Sequence, residues 1–230
     1  MADHHRNSNS GILHMTQTVI GIFGGTFDPV HYGHLRTASE LQQVLKLEDV
    51  RFVPCAVPPL KAAARAPAAL RISMLKAAIN NYPGFSLDER ELGREGPSYT
   101  VDTLLQIRQE LPDTPLCLII GMDAWLSFPQ WHRWQDILGL AHIVVVHRPG
   151  SPLHTDDELA GLMKERQTSE AADLNAFLAG RIFVHEVTQL EISSSAIRQL
   201  IADGLGADFL LPEEVGELAK DSGCYSRGVS

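Results

Sequence analysis

Two histidines three residues apart, His31 and His34, are the side chains in this sequence best placed to act on a phosphate group. They follow the glycine pair Gly24-Gly25, which closes a β-branched run over 18–23 that is typical of a buried strand. Glycines let a ligand approach the backbone closely, and residues at positions i and i+3 share one face of a helix. Because a helix N-terminus attracts anions, this run predicts a site for a triphosphate.

The sequence lacks the patterns of several other sites. Neither the dinucleotide fingerprint G-x-G-x-x-G nor the phosphate loop G-x-x-x-x-G-K-[ST] occurs, so a hydride-transfer cofactor and a P-loop ATPase lose their main support. The spacing of His31 and His34 is also typical of metal ligands, but a zinc site needs a further ligand, and none is close in sequence. Cys55, Cys117 and Cys224 lack Cys-x-x-Cys spacing and are expected to be reduced, mostly structural thiols.

A second predicted phosphate site is the run from Ser193 to Ser195, followed by Arg198. Serine is a good N-cap, and the backbone N–H groups beside it face an anion at the start of a helix. Arg198 lies one turn after Ser195, so the two side chains share a helix face. An ordinary serine N-cap with a surface arginine is the alternative.

Strands and helices alternate along the chain, which predicts a doubly wound α/β fold with a mostly parallel sheet and a small C-terminal helical portion. The predicted strands are 18–23, 50–53, 85–87, 116–120, 141–147 and 181–187, and the predicted helices are 34–47, 70–79, 100–111, 193–202 and 213–220. Residues 151–180 are more polar and are expected to mix helix and loop.

Composition restricts the classes of function. The chain has 230 residues, 44% of them hydrophobic, and a net charge of −9, which disfavours a nucleic-acid platform but leaves small phosphorylated ligands open. No apolar run approaches the roughly 20 residues of a membrane helix, and we expect a cytoplasmic protein. The polar segment 1–14 is interpreted as a tag or disordered extension, with Met15 as the natural start and 15–230 as one domain.

The run from Gly24 to His34 resembles the T/HxGH nucleotidylyltransferase superfamily, and specifically the bacterial nicotinate-nucleotide adenylyltransferases. The resemblance covers about 19–225. Its further motifs are Asp88-Glu89-Arg90-Glu91-Leu92, Pro97-Ser98-Tyr99-Thr100, Ile119-Ile120-Gly121-Met122-Asp123, Phe128-Pro129-Gln130-Trp131, His147-Arg148-Pro149-Gly150 and Ile192-Ser193-Ser194-Ser195-Ala196-Ile197-Arg198. It implies a Rossmann-like nucleotidylyltransferase fold and transfer of the adenylyl group of ATP, with Mg²⁺ carried by ATP, to nicotinate mononucleotide, giving deamido-NAD and pyrophosphate.

The resemblance also implies roles for individual residues. The implied catalytic residues are His31, His34 and Arg198, and the implied ATP and phosphate ligands are Gly24, Gly25, Thr26, Phe27, Ser193, Ser195 and Arg198. The implied nicotinate mononucleotide ligands are Lys61, Thr100, Asp123, Trp131, His132 and Arg148. An indole face can stack on the pyridine, whereas backbone N–H groups and a hydroxyl can bind its carboxylate. Trp125 and Trp134 are expected to be packing residues.

One position departs from the family pattern. After Val57-Pro58-Pro59 the family often has histidine and then a basic residue, whereas this chain has Leu60-Lys61. Leu60 cannot bind phosphate, which leaves that contact to Lys61, or to Arg65. Three alternatives stay open at this point: an enzyme for nicotinamide mononucleotide, an enzyme for phosphopantetheine, and a catalytically silent nucleotide-binding protein. The oligomeric state is not indicated by the sequence.

Overall fold

The computed structural model describes residues 18–60, 62–147, 157–188 and 190–226. The predictions for the segment 1–14, Met15, Lys61 and Arg148 therefore lie outside the described residues. The same is true of the first part of the segment 151–180, for which a mixture of helix and loop was expected.

The described strands form one parallel sheet in the order β3-β2-β1-β4-β5-β7-β6. They are β1 (Ile20–Gly25), β2 (Asp49–Pro54), β3 (Phe85–Leu87), β4 (Leu116–Gly121), β5 (His142–His147), β6 (Gln167–Thr168) and β7 (Ile182–Glu186). The winding reverses between β1 and β4, because the chain runs outward through β2 and β3 on one side and through β5 and β7 on the other. At such a point the carboxyl ends of the strands leave a crevice for a ligand.

Helices cover both faces of the sheet. They are α1 (Tyr32–Leu45), α2 (Ala68–Ile79), α3 (Thr100–Glu110), α4 (Met122–Leu126), α5 (Trp134–Leu140), α6 (Asp157–Arg166), α7 (Asp173–Ala176), α8 (Ser194–Ala202) and α9 (Glu213–Asp221), with a short 3-10 helix at Phe128–Gln130. In the described segments, no helix is both long and apolar enough to cross a membrane.

Two buried apolar clusters, one on each face, hold the helices to the sheet. Alternate residues of β4 show the division: Cys117 and Ile119 belong to one cluster, whereas Leu118 and Ile120 belong to the other. The first cluster takes its helical residues mainly from α1, α2, α8 and α9, and the second takes them mainly from α3, α5 and α6. Continuous apolar strands are expected where both faces of a parallel sheet are covered.

The predicted doubly wound α/β fold is confirmed, and the predicted strands and helices are found within two or three residues of their expected bounds. Two features are additional. The two-residue strand β6 pairs with β7 at the sheet edge and is too short to show any periodicity. The tryptophan-rich stretch folds into α4, the 3-10 helix and α5, each too short for a helical pattern to emerge from the sequence.

Candidate active site

A cleft of about 1130 Å³ opens at the carboxyl ends of the strands, across the reversal between β1 and β4. The predicted site residues that line it are Gly24, Gly25, Thr26, Phe27, His31, His34, Thr100, Asp123, Trp131, His132, Ser195 and Arg198. Ser193 is not among the lining residues, because its hydroxyl group accepts a hydrogen bond from the backbone N–H of Ala196 and caps α8. The fold therefore brings together residues that the sequence places up to 174 positions apart, such as Gly24 and Arg198.

The two glycines at the end of β1 lie in different surroundings, so a side chain would have a different effect at each position. A Cβ atom on Gly25 would lie 2.9 Å from the ring of Phe27, so a side chain there would collide with a packed aromatic group. A Cβ atom on Gly24 would meet no protein atom within 4 Å, and Gly24 is exposed to the cleft. Gly24 therefore keeps open a space that a ligand can enter, whereas Gly25 shapes the loop.

Phe27 fixes the turn that follows β1. Its backbone has φ of 48°, in the left-handed region that non-glycine residues rarely adopt. Its ring is almost fully buried, 5.8 Å from the ring of Phe23 and 5.1 Å from that of His34. Packing thus holds the strained backbone in place, and the same ring supports one of the two histidines.

The two histidines form a stacked pair at the start of α1. Their ring centroids lie 3.8 Å apart, and the backbone N–H of His31 donates to Nδ1 of His34 over 3.3 Å. With Nδ1 acting as the acceptor, neutral His34 carries its proton on Nε2. Gly33 permits this packing, since a Cβ atom there would lie 2.9 Å from the His31 ring.

Burial favours the neutral form of His31. Desolvation lowers its pKa from 6.5 to about 4, and its Nδ1 atom is buried without a hydrogen-bond partner among the described residues. A buried polar atom without a partner is costly in a folded protein. An anion bound beside this ring would supply a partner and would favour the protonated form.

Arg198 joins the second phosphate segment to the loop after β1. Its Nη1 atom donates to the backbone carbonyl of Asp28 over 2.7 Å, and its Nη2 atom donates to Oγ of Ser195 over 3.1 Å. The hydroxyl group of Ser194 donates to the backbone carbonyl of Pro29 over 2.9 Å. The start of α8 is therefore docked against the loop that precedes α1, so two helix N-termini face one side of the cleft.

The other side of the cleft is aromatic. The ring of Tyr99 lies 4.3 Å from the ring of His132, and Trp131 contacts Phe128 edge to face at 5.5 Å. Thr100 is the first residue of α3, whose N-terminus has no side-chain cap. A planar ring bearing a carboxylate suits a pocket that combines an indole, a hydroxyl group and a helix N-terminus.

The two remaining tryptophans pack in the protein, as the sequence predicts. Trp125 is fully buried and stacks on Phe128 at 5.6 Å. Trp134 meets the same Phe128 ring edge to face at 5.5 Å. Both tryptophans therefore support the aromatic segment that carries Trp131.

The lining residues to which the sequence assigns no role include Glu91, Ser98 and Tyr99. Glu91 is buried and accepts a 2.6 Å hydrogen bond from the hydroxyl group of Thr103, and burial raises the pKa of its carboxyl group. Oγ of Ser98 accepts from the backbone N–H groups of Ala56 and Val57. The Ser98 contacts hold the loop before α3 against the loop after β2, and the Glu91 contact holds the same loop against α3. Glu91 lies in the family motif 88–92, and Ser98 and Tyr99 lie in the family motif 97–100, and this is the feature of the sequence that could have indicated a role for them.

The cleft can bind anions although the chain is acidic. The N-termini of α1, α3 and α8 all contribute lining residues, and each supplies backbone N–H groups and a partial positive charge. Over the segments that the structure covers, no group of three or more histidine, cysteine, aspartate or glutamate side chains is arranged to hold a metal ion. The arrangement is suited to binding two phosphorylated molecules side by side.

Comparison with known proteins agrees with this geometry. The cytidylyltransferase-like family model matches residues 22–200. A protein of Methylococcus capsulatus named as a probable nicotinate-nucleotide adenylyltransferase is 47% identical over 210 residues, which are 91% of this chain and all of the relative. Its namesake in Aeromonas hydrophila is 44% identical over 92% of this chain and 99% of the relative.

Solved structures show the same fold at low sequence identity. The nicotinic acid mononucleotide adenylyltransferase of Plasmodium falciparum complexed with NaAD has a TM-score of 0.70 at 16% identity, covering 91% of this chain and 98% of its own. The same enzyme complexed with APC has a TM-score of 0.65. Since the close relatives align over almost their whole length, the chain belongs to the nicotinate-nucleotide adenylyltransferase family of cytidylyltransferase-like proteins.

Proposed function

We propose that this protein transfers the adenylyl group of ATP to nicotinate mononucleotide, forming deamido-NAD and pyrophosphate in NAD biosynthesis. The observation that carries the proposal is the cleft at the β1/β4 reversal, where the histidine pair and Arg198 lie on one side and the Trp131 pocket on the other. Relatives at 44–47% identity over nine-tenths of the chain are named for the same reaction.

The triphosphate is assigned to the side formed by α1 and α8. Gly24 provides open space beside the backbone, while Thr26, Ser195 and Arg198 provide donors. His31 and His34 lie at the N-terminus of α1, where a helix favours negative charge. We assign these groups to stabilising the charge that develops on the departing pyrophosphate.

The acceptor is assigned to the side formed by α3 and the aromatic segment. The indole of Trp131 would stack on the pyridine, and Thr100 with the backbone near His132 would bind the carboxylate. Asp123, exposed at the start of α4, would bind a ribose hydroxyl. Lys61 and Arg148 complete the proposed acceptor ligands. A carboxylate-binding pocket of this kind would favour the acid over the amide.

The reaction needs no side chain to attack the substrate. An oxygen of the mononucleotide 5′-phosphate forms a bond to the α-phosphorus of ATP, and the bond from that phosphorus to the oxygen bridging to the β-phosphate breaks. A phosphate monoester has its second pKa near 6, so the nucleophile is already largely ionised at neutral pH and no general base is required. Positioning and charge stabilisation remain as the protein's contribution.

We treat Mg²⁺ as part of the substrate MgATP. Asp28 is the acidic residue in the loop between β1 and α1, and both of its carboxylate oxygens already accept hydrogen bonds, from the backbone N–H groups of Arg65 and Ala66 and from the hydroxyl group of Tyr225. The triphosphate oxygens would therefore hold the ion, which would offset part of their negative charge.

A cytoplasmic location and a single domain over 15–230 are further parts of the proposal. The location is supported by Cys55, Cys117 and Cys224, which are free thiols in the described chain.

The experiment that tests the proposal is a substrate comparison with the wild-type protein. Pyrophosphate release is measured with MgATP and, in parallel, nicotinate mononucleotide, nicotinamide mononucleotide or phosphopantetheine, and each product is identified by mass. We expect deamido-NAD as the main product and kcat/KM at least about tenfold higher for the nicotinate than for the nicotinamide acceptor, equivalent to ~1.4 kcal/mol. Turnover with another acceptor only, or nucleotide binding without turnover, would contradict the proposal.

A further inference from the structure

Tyr225, near the C-terminus, lies outside the segment 22–200 that the family model matches, yet it contacts Asp28, which lines the phosphate side of the cleft. Its side chain is fully buried, and its hydroxyl group donates a 2.7 Å hydrogen bond to Oδ1 of Asp28, 197 positions earlier in the chain. The ring belongs to the same buried apolar cluster as Phe27 and Ile197. The hydroxyl group thus contacts the loop between β1 and α1 from the side of the protein core.

The last helix determines where Tyr225 lies. α9 packs against α2 and buries Val215 and Ala219 in the first apolar cluster. Gly223 then adopts φ of 65°, the left-handed conformation that commonly ends a helix and that glycine adopts without strain. The chain turns there and returns Tyr225 to the core, so its position depends on a packed helix rather than on a free terminus.

Asp28 connects Tyr225 to the phosphate-binding groups. Its carboxylate accepts from the backbone N–H of Arg65 over 2.7 Å and of Ala66 over 3.1 Å, in addition to the tyrosine hydroxyl. Its backbone carbonyl accepts from Nη1 of Arg198 over 2.7 Å, and Oδ2 lies 3.9 Å from the same nitrogen. The position of Asp28 therefore determines where the guanidinium of Arg198 is held.

In its contact with Asp28, the hydroxyl group of Tyr225 stays protonated and acts as a hydrogen-bond donor. Burial, with the neighbouring Asp28 carboxylate as a second cause, raises the pKa of Tyr225, so the hydroxyl group keeps its proton throughout the neutral range. Asp28 is itself only 4% exposed, and hydrogen bonds to a charged acceptor are stronger than those between neutral groups. Without the hydroxyl group, the Asp28 carboxylate would lose its side-chain donor and keep the backbone N–H groups of Arg65 and Ala66, so its position relative to Arg198 would be less strictly fixed.

We propose that Tyr225 is a positioning residue for the triphosphate of ATP, acting through Asp28 on Arg198. The inference rests on the proposed function for the identity of the nucleotide, but not on the identity of the acceptor. It makes the C-terminal segment after α9 part of the phosphate-binding machinery.

The test is the substitution Tyr225→Phe, which removes one oxygen atom and keeps the packed ring. We expect kcat/KM for MgATP to fall about tenfold, equivalent to ~1.4 kcal/mol, while KM for nicotinate mononucleotide stays within about twofold of wild type. Calorimetric titration of the protein with MgATP, with no acceptor present, should show correspondingly weaker binding. If wild type lacks turnover with the nicotinate acceptor, the proposed function fails, and the calorimetry still decides the role of Tyr225.

Two controls separate positioning from simple packing. Tyr82→Phe removes the hydroxyl group of a half-exposed tyrosine that stacks on Phe85, and it should leave both measurements unchanged. In an Arg198→Lys background, Tyr225→Phe should have little further effect, because residues that act through one another give non-additive losses. A lower melting temperature with unchanged MgATP binding and kinetics at 25 °C would overturn the proposal, as would fully additive effects with Arg198→Lys.

Discussion

The side chains at the proposed phosphate site are held in place by their neighbours. His34 is oriented by the backbone N–H of His31 and supported by the ring of Phe27, so the fold fixes the position of its imidazole ring. A group fixed in this way can stabilise charge in the transition state without reorganising. His34 is therefore expected to matter for turnover more than for folding.

Substituting His34→Ala tests this expectation. We predict that kcat falls by about 10²–10³-fold, the usual cost of removing one preorganised donor, with a much smaller change in KM for either substrate. Steady-state kinetics with both substrates varied gives the two parameters. Gln43→Ala, on the exposed side of the same helix, is the matched control and should retain wild-type turnover. A His34→Ala enzyme with normal kcat would contradict the assignment.

Because burial lowers the pKa of His31, we predict that the free energy of unfolding depends on pH. Its pKa is about 4 in the folded protein and 6.5 in the unfolded chain, so between these values the unfolded chain binds the proton and the folded protein does not. The free energy of unfolding should therefore decrease as the pH falls from 6.5 towards 4. Between pH 7 and pH 5 the contribution of this single group is about 2 kcal/mol.

The measurement compares urea unfolding of wild type and His31→Gln at pH 7 and pH 5. Wild type should lose about 2 kcal/mol more than the variant on acidification. His142, whose pKa is also lowered by burial, is present in both proteins and cancels from the difference. Equal losses in the two proteins would show that His31 is not held neutral by the fold.

Among the structural elements, the end of β1 contains one glycine that maintains the shape of the following loop and another that leaves space for a ligand. Gly25 faces the ring of Phe27, whereas Gly24 faces open space. We predict that Gly24→Ala folds with near wild-type stability but raises KM for MgATP about three- to tenfold, because the new methyl group enters the ligand's space. Gly25→Ala should lower the free energy of unfolding by about 1–3 kcal/mol, since it overpacks the loop.

Thermal unfolding and ATP kinetics of the two glycine variants separate these effects. Each variant is the control for the other, as both carry the same added methyl group one residue apart. A Gly24→Ala protein with unchanged KM for MgATP would mean that the triphosphate does not approach the backbone at this point.

Much of the element arrangement is predictable from local sequence. The apolar run of β4 and the helical spacing of α1 are enough to identify both elements, and the glycine–histidine run identifies the turn that joins β1 to α1. The hydrogen bonds that hold the site residues in place are not predictable in this way. The contacts of Ser98 with Ala56 and Val57, or of Tyr225 with Asp28, join residues 41 to 197 positions apart. No local pattern encodes such pairings, because they arise only when the sheet brings the segments together.

At the scale of the whole molecule, an acidic chain has to bind two anionic substrates. The net charge of −9 would repel both of them, and the fold counters this locally by directing the N-termini of α1, α3 and α8 at one cleft. Parallel strands make this possible, because every strand ends at the same edge and the following helix begins there. Among the described residues, positive charge at the cleft thus comes from backbone dipoles and Arg198.

We propose that the cleft aligns the two reacting phosphates and that no side chain bonds to the adenylyl group. The most direct measurement is the stereochemical course at the α-phosphorus, using one diastereomer of the α-thio analogue of ATP and nicotinate mononucleotide. A single in-line displacement predicts inversion of configuration in the dinucleotide. Retention would mean two displacements through a covalent adenylyl-enzyme, with His31 or His34 as the nucleophile, and would contradict the claim.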